Sequence, residues 1–382
     1  MKTRAAVLWG VKEDWRIEEI DLDPPKAGEV LVKMAASGLC HSDEHLVTGD
    51  MSLPDEQVRL LGIPSLFPII GGHEGAGVVV EVGPGVSLVE RGDHVAASFV
   101  PACGHCRWCV GGRSSLCDLG SQALLPGQIS DGTFRHHCHG QDMSTMTKLG
   151  TFSEYTVVSE LSLVKVDRDL PLSAVSLVSC AVTTGWGSAV YRAGTLPGDT
   201  VVVVGVGGVG MNAVQGARMV GARTIVAVDP IELKRTTSTA FGATHTAASM
   251  EEAIPLVTEL TGGQMAERVI MTPGVMHGEL LGDGLRLTGK GGTCVITGVG
   301  PWDESHVTMN LFEMVMWNKE IKGALFGSGN PRNDIPKLLS LYRSGQLKLD
   351  ELITTTYSLD EINQGYDDMR QGKNIRGIIV FE

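Results

Sequence analysis

Cys103, Cys106, Cys109 and Cys117 fall within fifteen residues, and four thiolates so close together can enclose one tetrahedral Zn²⁺ with no open position. A closed site of this kind organises a loop and does no chemistry. A disulfide cluster at these positions would need an oxidising compartment, yet the first residues, Met-Lys-Thr-Arg-Ala-Ala-Val-Leu-Trp-Gly, hold no apolar core of signal-peptide length. Iron–sulfur clusters use different local spacings. Zinc is therefore the expected occupant, and the other four of the eight cysteines, Cys40, Cys138, Cys180 and Cys294, need their own account.

Two further constellations could carry chemistry. Gly205-Val-Gly207-Gly208-Val209-Gly210 follows an apolar strand-like run and precedes a helix-like one. In that context Gly205 permits a tight turn, Gly207 lets backbone approach a pyrophosphate, and Gly210 lets helix pack on strand, with the helix N-terminus attracting the phosphates. Asp229 ends the next strand-like run, 19 residues beyond Gly210, where its carboxylate would accept from both ribose hydroxyls and favour NAD over NADP. Lys234 and Arg235 nearby argue the other way. The second constellation is dispersed: Cys40 in Cys40-His41-Ser42-Asp43-Glu44-His45, His73 in Gly72-His73-Glu74, and Cys180. A catalytic zinc takes three protein ligands and keeps one position open. Spacing does not establish that these three meet, and buried core thiols and a satisfied loop histidine remain alternatives.

The elements that must position these residues are legible in outline. Short strands joined by glycine and proline turns are expected at 4–8, 30–36, 77–82, 94–98 and 152–158. From about residue 182 the texture changes to apolar runs at 200–204, 224–228, 268–271 and 292–297 separated by helix-length segments, which implies a parallel, doubly wound sheet. The stretch 355–382 returns to strand and turn character, ending in a strand at 378–381. At 382 residues with 49 glycines, the chain suits an α/β protein of about two domains. A net charge of −13 without a basic stripe makes nucleic acid and anionic membranes poor partners. No run of about 18 uncharged apolar residues suggests a membrane span. Reduced cysteines, acidity and the lack of a targeting segment point to the cytoplasm.

Taken in order, Cys40-x-Ser42-Asp43-x-His45, Gly72-His73-Glu74, the cysteine quartet, Cys180 with Thr184, the glycine loop, Asp229 and Asn374-Ile-Arg376 resemble the zinc-dependent medium-chain alcohol dehydrogenases over essentially the whole chain. The resemblance implies an α/β fold: a β-rich GroES-like catalytic domain at 1–181, an inserted Rossmann domain at 182–325 and a return to the catalytic domain at 326–382, with the active site in the cleft between them. It implies two Zn²⁺ per chain and NAD as cofactor. Cys40, His73 and Cys180 would hold the catalytic zinc, with Glu74 as an occasional or outer ligand and Asp43 orienting the ligand imidazole. Zinc would favour the alkoxide from which hydride departs to nicotinamide. Ser42 and His45 match a proton relay that runs through a hydroxyl, the cofactor ribose and a histidine reaching solvent. Phe99 matches a wall of the substrate pocket, Thr184 and Val209 nicotinamide contacts, Lys234 an adenosine-ribose contact, and Arg376 a pyrophosphate contact.

His41 stands where many liver-type relatives carry a pyrophosphate-binding arginine, and the segment 50–67 is longer than in the liver enzymes. It reads as an ordered excursion over the site or at a subunit contact. With the run Phe134-Arg-His-His-Cys138-His139, these departures resemble the actinobacterial nicotinoproteins, which retain NAD and pass reducing equivalents to an external acceptor such as a nitrosoaniline dye or mycofactocin. The adjacent residues His136 to His139 cannot all aim at one ion, so a loop without metal is expected there. Cys294 reads as a small core thiol. The implied activity is oxidation of primary alcohols to aldehydes by a homo-oligomer, a dimer or tetramer. Glutathione-dependent formaldehyde dehydrogenase and a nonenzymatic NAD-binding protein are the alternatives.

Overall fold

The computed structural model describes residues 1–51, 62 and 65–382, so the excursion expected at 50–67 lies largely outside the described residues. The chain divides into two compact units. One comprises Met1–Cys180, Asn330–Gly345 and Leu349–Glu382; the other comprises Ala181–Gly329 with Gln346–Lys348. No single helix among the described residues is long and apolar enough to cross a membrane.

The first unit is built on β1 (Lys2–Leu8), β2 (Arg16–Leu22), β3 (Glu29–Gly38), β4 (Ile69–Ile70), β5 (Gly75–Val82), β6 (His94–Ala97), β7 (His136–Cys138), β8 (Gln141–Thr145), β9 (Tyr155–Ser159) and β10 (Leu163–Val166). The second holds β11 (Thr200–Val204), β12 (Thr224–Val228), β13 (His245–Ala247), β14 (Ala266–Met271), β15 (Thr288–Ile296) and β16 (Glu320–Gly323). β17 (Ile353–Tyr357) and β18 (Arg376–Val380) return to the first unit.

In the first unit, β1-β2-β7-β8-β4 close into a barrel, and a second sheet runs β10-β6-β5-β3-β18-β17, with β9 also on β3. β3 is the hub of that sheet because its apolar run is buried along nearly its whole length. The core beneath the Cys40 segment joins Leu39 and Leu46 to Trp15, Phe152, Tyr357, Ile362 and Tyr366. Ile362, Gly365 and Tyr366 are the buried face of a helix, Ile362–Arg370, whose i, i+3, i+4 spacing departs from the strand-and-turn expectation for that stretch. One fully buried ion pair ties the sheet to the barrel: Arg135 donates from Nε to Glu29 Oε2 at 2.8 Å and from a terminal nitrogen to Oε1 at 2.7 Å.

In the second unit every strand pairing is parallel, in the order β13-β12-β11-β14-β15-β16. Counted within the unit this is 3-2-1-4-5-6, the doubly wound dinucleotide-binding order, whose ligand crevice lies beyond the strand C-termini where the order reverses. The fully buried Thr-Val-Val-Val-Val of β11 is what a strand covered on both faces requires.

Removing Glu29 leaves the Arg135 guanidinium buried with Asp131, 3.0 Å away, as its remaining carboxylate partner among the described residues, beside neutral acceptors on Thr133 and Phe134. Glu29→Ala should therefore cost about 3 kcal/mol, the low end for a broken buried pair, read as a lowered denaturation midpoint. A loss below about 1 kcal/mol would show that the pair behaves as a surface one.

Candidate functional site

Three elements of the first unit bring the dispersed residues together. Cys40 caps the helix His41–Thr48 just after β3, His73 sits in the turn between β4 and β5, and Cys180 follows the helix Leu172–Val178. Their ligand atoms all lie within 4.8 Å of one another, and all three residues are buried. The His73 turn depends on glycine: Gly72 has φ +86°, and a Cβ there would stand 2.5 Å from the Phe152 nitrogen. Asp43 fixes both backbone and ring. Its Oδ1 accepts from Gly72 N at 2.7 Å, and its Oδ2 faces His73 Nδ1 at 2.9 Å, which leaves Nε2 to serve as a ligand.

The electrostatics of the trio suit a cation. A hydrogen bond with Cys180 is the largest influence holding the Cys40 thiol well below its usual range, outweighing burial. Burial opposes a charged His73, but Asp43 and Cys40 outweigh it and raise the imidazole to about 10. The site thus prefers a positive charge between Asp43 and the cysteines. Two sulfurs and an imidazole nitrogen are the donor set of a three-ligand catalytic zinc with an open position.

Around the trio, Phe99 meets the His73 ring edge to face, with centroids 5.7 Å apart. Ser42 Oγ stands 3.8 Å from Cys40 Sγ. Glu74 lies outside the ligand cluster and is engaged in a buried ion pair with Arg376, whose charge also bears on Cys40. Within its unit Arg376 is thus a neighbour of the trio. Gly38 makes this pairing possible, since a Cβ there would fall 2.7 Å from Glu74 Oε2. His45 departs from the solvent-reaching pattern. It is buried, with Nδ1 3.0 Å from Asp50 Oδ2, and Asp50, at 23% exposure, is the member of the pair that meets solvent. Asp50 also accepts from Thr48 at 2.7 Å. Asp50 is a site residue that the motifs do not include; the signal available for it is an acid just past the end of a short helix bearing His45. His41 is half-buried in the first turn of that helix.

The quartet is equally well assembled. Cys103, Cys106, Cys109 and Cys117 place their sulfurs within 4.8 Å of one another. Backbone N–H groups of Cys106 and Cys109 donate to Cys103 and Cys106 sulfurs at 3.3 and 3.5 Å. Backbone hydrogen bonds from Asp118 and Cys109 lead in lowering Cys106 to about 6, whereas burial pushes Cys117 up to about 12. Four sulfurs so close do not all ionise without a cation among them, which is what a closed zinc site provides. The run at 136–139 is in part a strand, β7, rather than the loop expected there. His136 is buried against Thr156 and His137 lies between Asp142 and Asp23. Cys138 and His139 instead converge with Glu18 from β2. Cys294 is fully buried in the core of the second unit.

In the second unit the three glycines differ in what a side chain would meet. A Cβ on Gly205 (φ +83°) would meet Thr272 O at 2.5 Å, one on Gly210 would meet Gly205 O at 1.9 Å, and one on Gly207 would meet nothing within 4 Å. Gly207 caps the helix Gly208–Met219, so the open backbone lies where a phosphate would approach. Asp229 braces this loop, its Oδ2 accepting from Val206 N and its Oδ1 from Ile231 N, each at 2.9 Å. Each oxygen retains a lone pair for a ribose hydroxyl. Thr272, which no sequence motif marks, donates to Gly205 O at 2.6 Å. Val209 and Lys234 are half-buried beside the loop and on the helix Glu232–Phe241, and Arg235 donates to the carbonyls of Asp229 and Pro230. Thr184 lies on the helix Ala181–Gly187, which packs on the loop closely enough that a Cβ on Gly185 would sit 1.9 Å from Val209 O. Its Oγ1 is buried and has no hydrogen-bond partner among the described residues, as expected of a hydroxyl kept for a ligand.

Residues 26–168 match the family model described as alcohol dehydrogenase GroES-like domain, and residues 208–344 that described as zinc-binding dehydrogenase. The chain is 50% identical to the NDMA-dependent alcohol dehydrogenase of Amycolatopsis methanolica over 100% of this chain and 99% of that one. The chain belongs to the zinc-dependent medium-chain alcohol dehydrogenases. It is 48% identical to alcohol dehydrogenase B of Mycobacterium tuberculosis, again over 100% of this chain and 99% of the relative, and these likenesses place it in the family's nicotinoprotein subgroup. Benzyl alcohol dehydrogenase from Acinetobacter calcoaceticus superposes with a TM-score of 0.89 at 28% identity, covering 100% of both chains. This alcohol dehydrogenase is an enzyme that uses zinc and NAD.

Gly210→Ala places a methyl group against Gly205 O, an overpacking worth about 1–3 kcal/mol. The protein should lose retained NAD(H) with its zinc content unchanged. Full NAD(H) occupancy by absorbance after denaturation would contradict the assignment of this loop.

Proposed function

We propose that this alcohol dehydrogenase oxidises primary alcohols to aldehydes with an NAD that stays bound and is reoxidised by an external acceptor. The observation that carries the reading is the buried trio Cys40, His73 and Cys180 with Asp43 holding the imidazole. When bound, zinc at the trio supplies a Lewis acid for the alcohol oxygen and NAD supplies the hydride acceptor. Asp43 keeps His73 in the tautomer that offers Nε2. Ser42 would accept the alcohol's hydroxyl proton as it gives up its own, and His45, oriented by Asp50, would pass the released proton toward solvent. Phe99 presents an apolar surface beside His73 that suits the carbon chain of a primary alcohol. Glu74 keeps Arg376 in register and serves as an outer ligand only.

A second zinc in the quartet would staple residues 103–117, giving two per chain. Asp229, with both oxygens turned to the glycine loop and the following turn, supports NAD over NADP. His41, Val209, Thr184, Lys234 and Arg376 are the further cofactor contacts in this reading. Retention of NAD is supported by the likeness to the NDMA-dependent enzyme, and mycofactocin is the acceptor class proposed in the cell. All eight cysteines are free of disulfides, which supports a cytoplasmic location.

The oligomer is proposed as a dimer or larger assembly of this chain. The helix Leu311–Met316 exposes Leu311, Phe312, Val315 and Met316, each by more than 60%, and β16 ends its sheet among the described residues. Such an apolar patch beside an open strand edge is what a self-complementary twofold contact covers. Light scattering should give a multiple of the chain mass that falls to the monomer in Phe312→Asp/Val315→Asp. A monomeric unmodified protein would refute the contact.

The activity is tested by denaturing the purified protein and assaying released NAD(H), then measuring turnover of ethanol, benzyl alcohol and S-hydroxymethylglutathione with a nitrosoaniline acceptor or with free NAD. One NAD(H) per chain and acceptor-dependent alcohol oxidation are expected. Turnover that needs added NAD and ignores the acceptor would rule out the retained cofactor, and activity confined to the glutathione adduct would replace the substrate class.

A further inference from the structure

We propose that Glu18, Cys138 and His139 form an additional divalent-cation site, suited to Zn²⁺, at the tip of the β7–β8 hairpin. One carboxylate oxygen, the thiol sulfur and a ring nitrogen of these residues lie within 4.8 Å of one another. His139 Nε2 is already 3.5 Å from Glu18 Oε2. In a tetrahedral site with bonds of about 2.0–2.3 Å, donors stand roughly 3.5 Å apart, which is the spacing this pair already has.

The surroundings hold the donors for this purpose. Cys138 pairs with Gln141 across the hairpin, and the two loop residues between them, His139 and Gly140, both have positive φ, 51° and 75°. That is the two-residue turn that matches strand twist, and it brings the His139 side chain to the same place as the Cys138 thiol, although residues adjacent in a strand point to opposite faces. Trp9 fixes the other two donors at once. Its Nε1 donates to Glu18 Oε1 at 3.3 Å, leaving Oε2 toward His139, and its ring stacks on the His139 imidazole with centroids 5.9 Å apart. His136 and His137 are engaged elsewhere. The Cys138 thiol is buried against Ala5, Val7 and Ile20, while His139 is 66% exposed, so a cation enters from the histidine side and keeps a water as its fourth ligand.

Burial, followed by the charge of Glu18, keeps the Cys138 thiol protonated. Binding therefore forms the metal–sulfur bond as the thiol proton leaves to solvent, and the cation neutralises the carboxylate. The site would tie β2 to the β7–β8 turn and stabilise the barrel by an amount that rises with the logarithm of free metal.

The test is a Zn²⁺ titration of the full protein, washed with a weak chelator, counting bound metal per chain beside Glu18→Gln and His139→Ala. The unmodified protein should bind one equivalent more than His139→Ala, and each variant should lose more than the roughly 10–100-fold that removing an outer partner costs. With Co²⁺ as the probe, a thiolate-to-cobalt absorption band should vanish in Cys138→Ser. Should that core variant fail to fold, His139→Ala, at an exposed position, decides alone. Equal stoichiometry and affinity in the unmodified protein and in both the Glu18 and His139 variants would overturn the site. Because the readout is a difference between variants, it is independent of how many ions the other clusters hold.

Discussion

The contact on which the catalytic unit depends is the carboxylate of Asp43. It is fully buried, and its two oxygens hold different partners, with Oδ1 accepting the Gly72 N–H and Oδ2 facing His73 Nδ1. A buried carboxylate is costly unless its charge is matched. Asp43 meets that requirement by joining the helix after Cys40 to the turn before β5. The same contact orients the ring of His73 and braces the φ-positive turn that carries it. Phe152 and Thr151 close the turn from behind, through the backbone hydrogen bonds Phe152 N to Gly71 O and Thr151 N to Gly72 O, each at 2.9 Å. Ligand orientation is thus a property of the fold.

The two cysteine-bearing sites meet opposite requirements. The quartet is local: four sulfurs inside fifteen residues fold around one point, half exposed, with backbone N–H groups aimed at the sulfurs. The trio is non-local and buried, so its geometry is set by β3, β5 and the helix Leu172–Val178. A loop-borne site can be saturated by its own ligands, whereas a site held by a rigid sheet can keep one position unfilled. Chemistry belongs at the second kind.

This difference explains what was legible in the sequence. The quartet and the glycine loop are patterns of spacing, and Gly205 and Gly210 occupy the tight turn and the close packing contact that the spacing implies. Four of the six strands of the second unit, β11, β12, β14 and β15, were legible as well, because runs such as Thr200–Val204 are buried on both faces, whereas the short, less buried β13 and β16 were not. β2 was not: it carries Arg16, Glu18, Glu19 and Asp21, and only Ile20 and Leu22 are buried, since the barrel needs one covered face. β7 is written His-His-Cys, which no strand propensity favours. The helix Ile362–Arg370 was obscured by its polar residues, although Ile362 and Tyr366 cover the core beneath Cys40. The meeting of Cys40, His73 and Cys180 came into view only through family resemblance, because convergence across 140 residues is a tertiary fact. The pairings His45 with Asp50 and Glu74 with Arg376 had no sequence signal beyond complementary charge.

Charge balance in the first unit favours a cation at the trio. Asp43 and Glu74 are buried acids, and Cys40 and Cys180 must be thiolates to act as ligands. Against these four negative charges the surrounding partners among the described residues supply one buried cation, Arg376, whose pairing is with Glu74; Glu44 is separately matched by Arg370. Three negative charges then remain in a region shielded from water, where repulsion is least screened. A proton on His73 relieves one of them, which is why Asp43 and Cys40 raise that imidazole against the effect of burial. A dication relieves two and frees the imidazole nitrogen as a donor. A metal bound at the trio would therefore replace a proton at a single point, and the same excess of negative charge that would draw the ion in keeps Arg376 paired beside it.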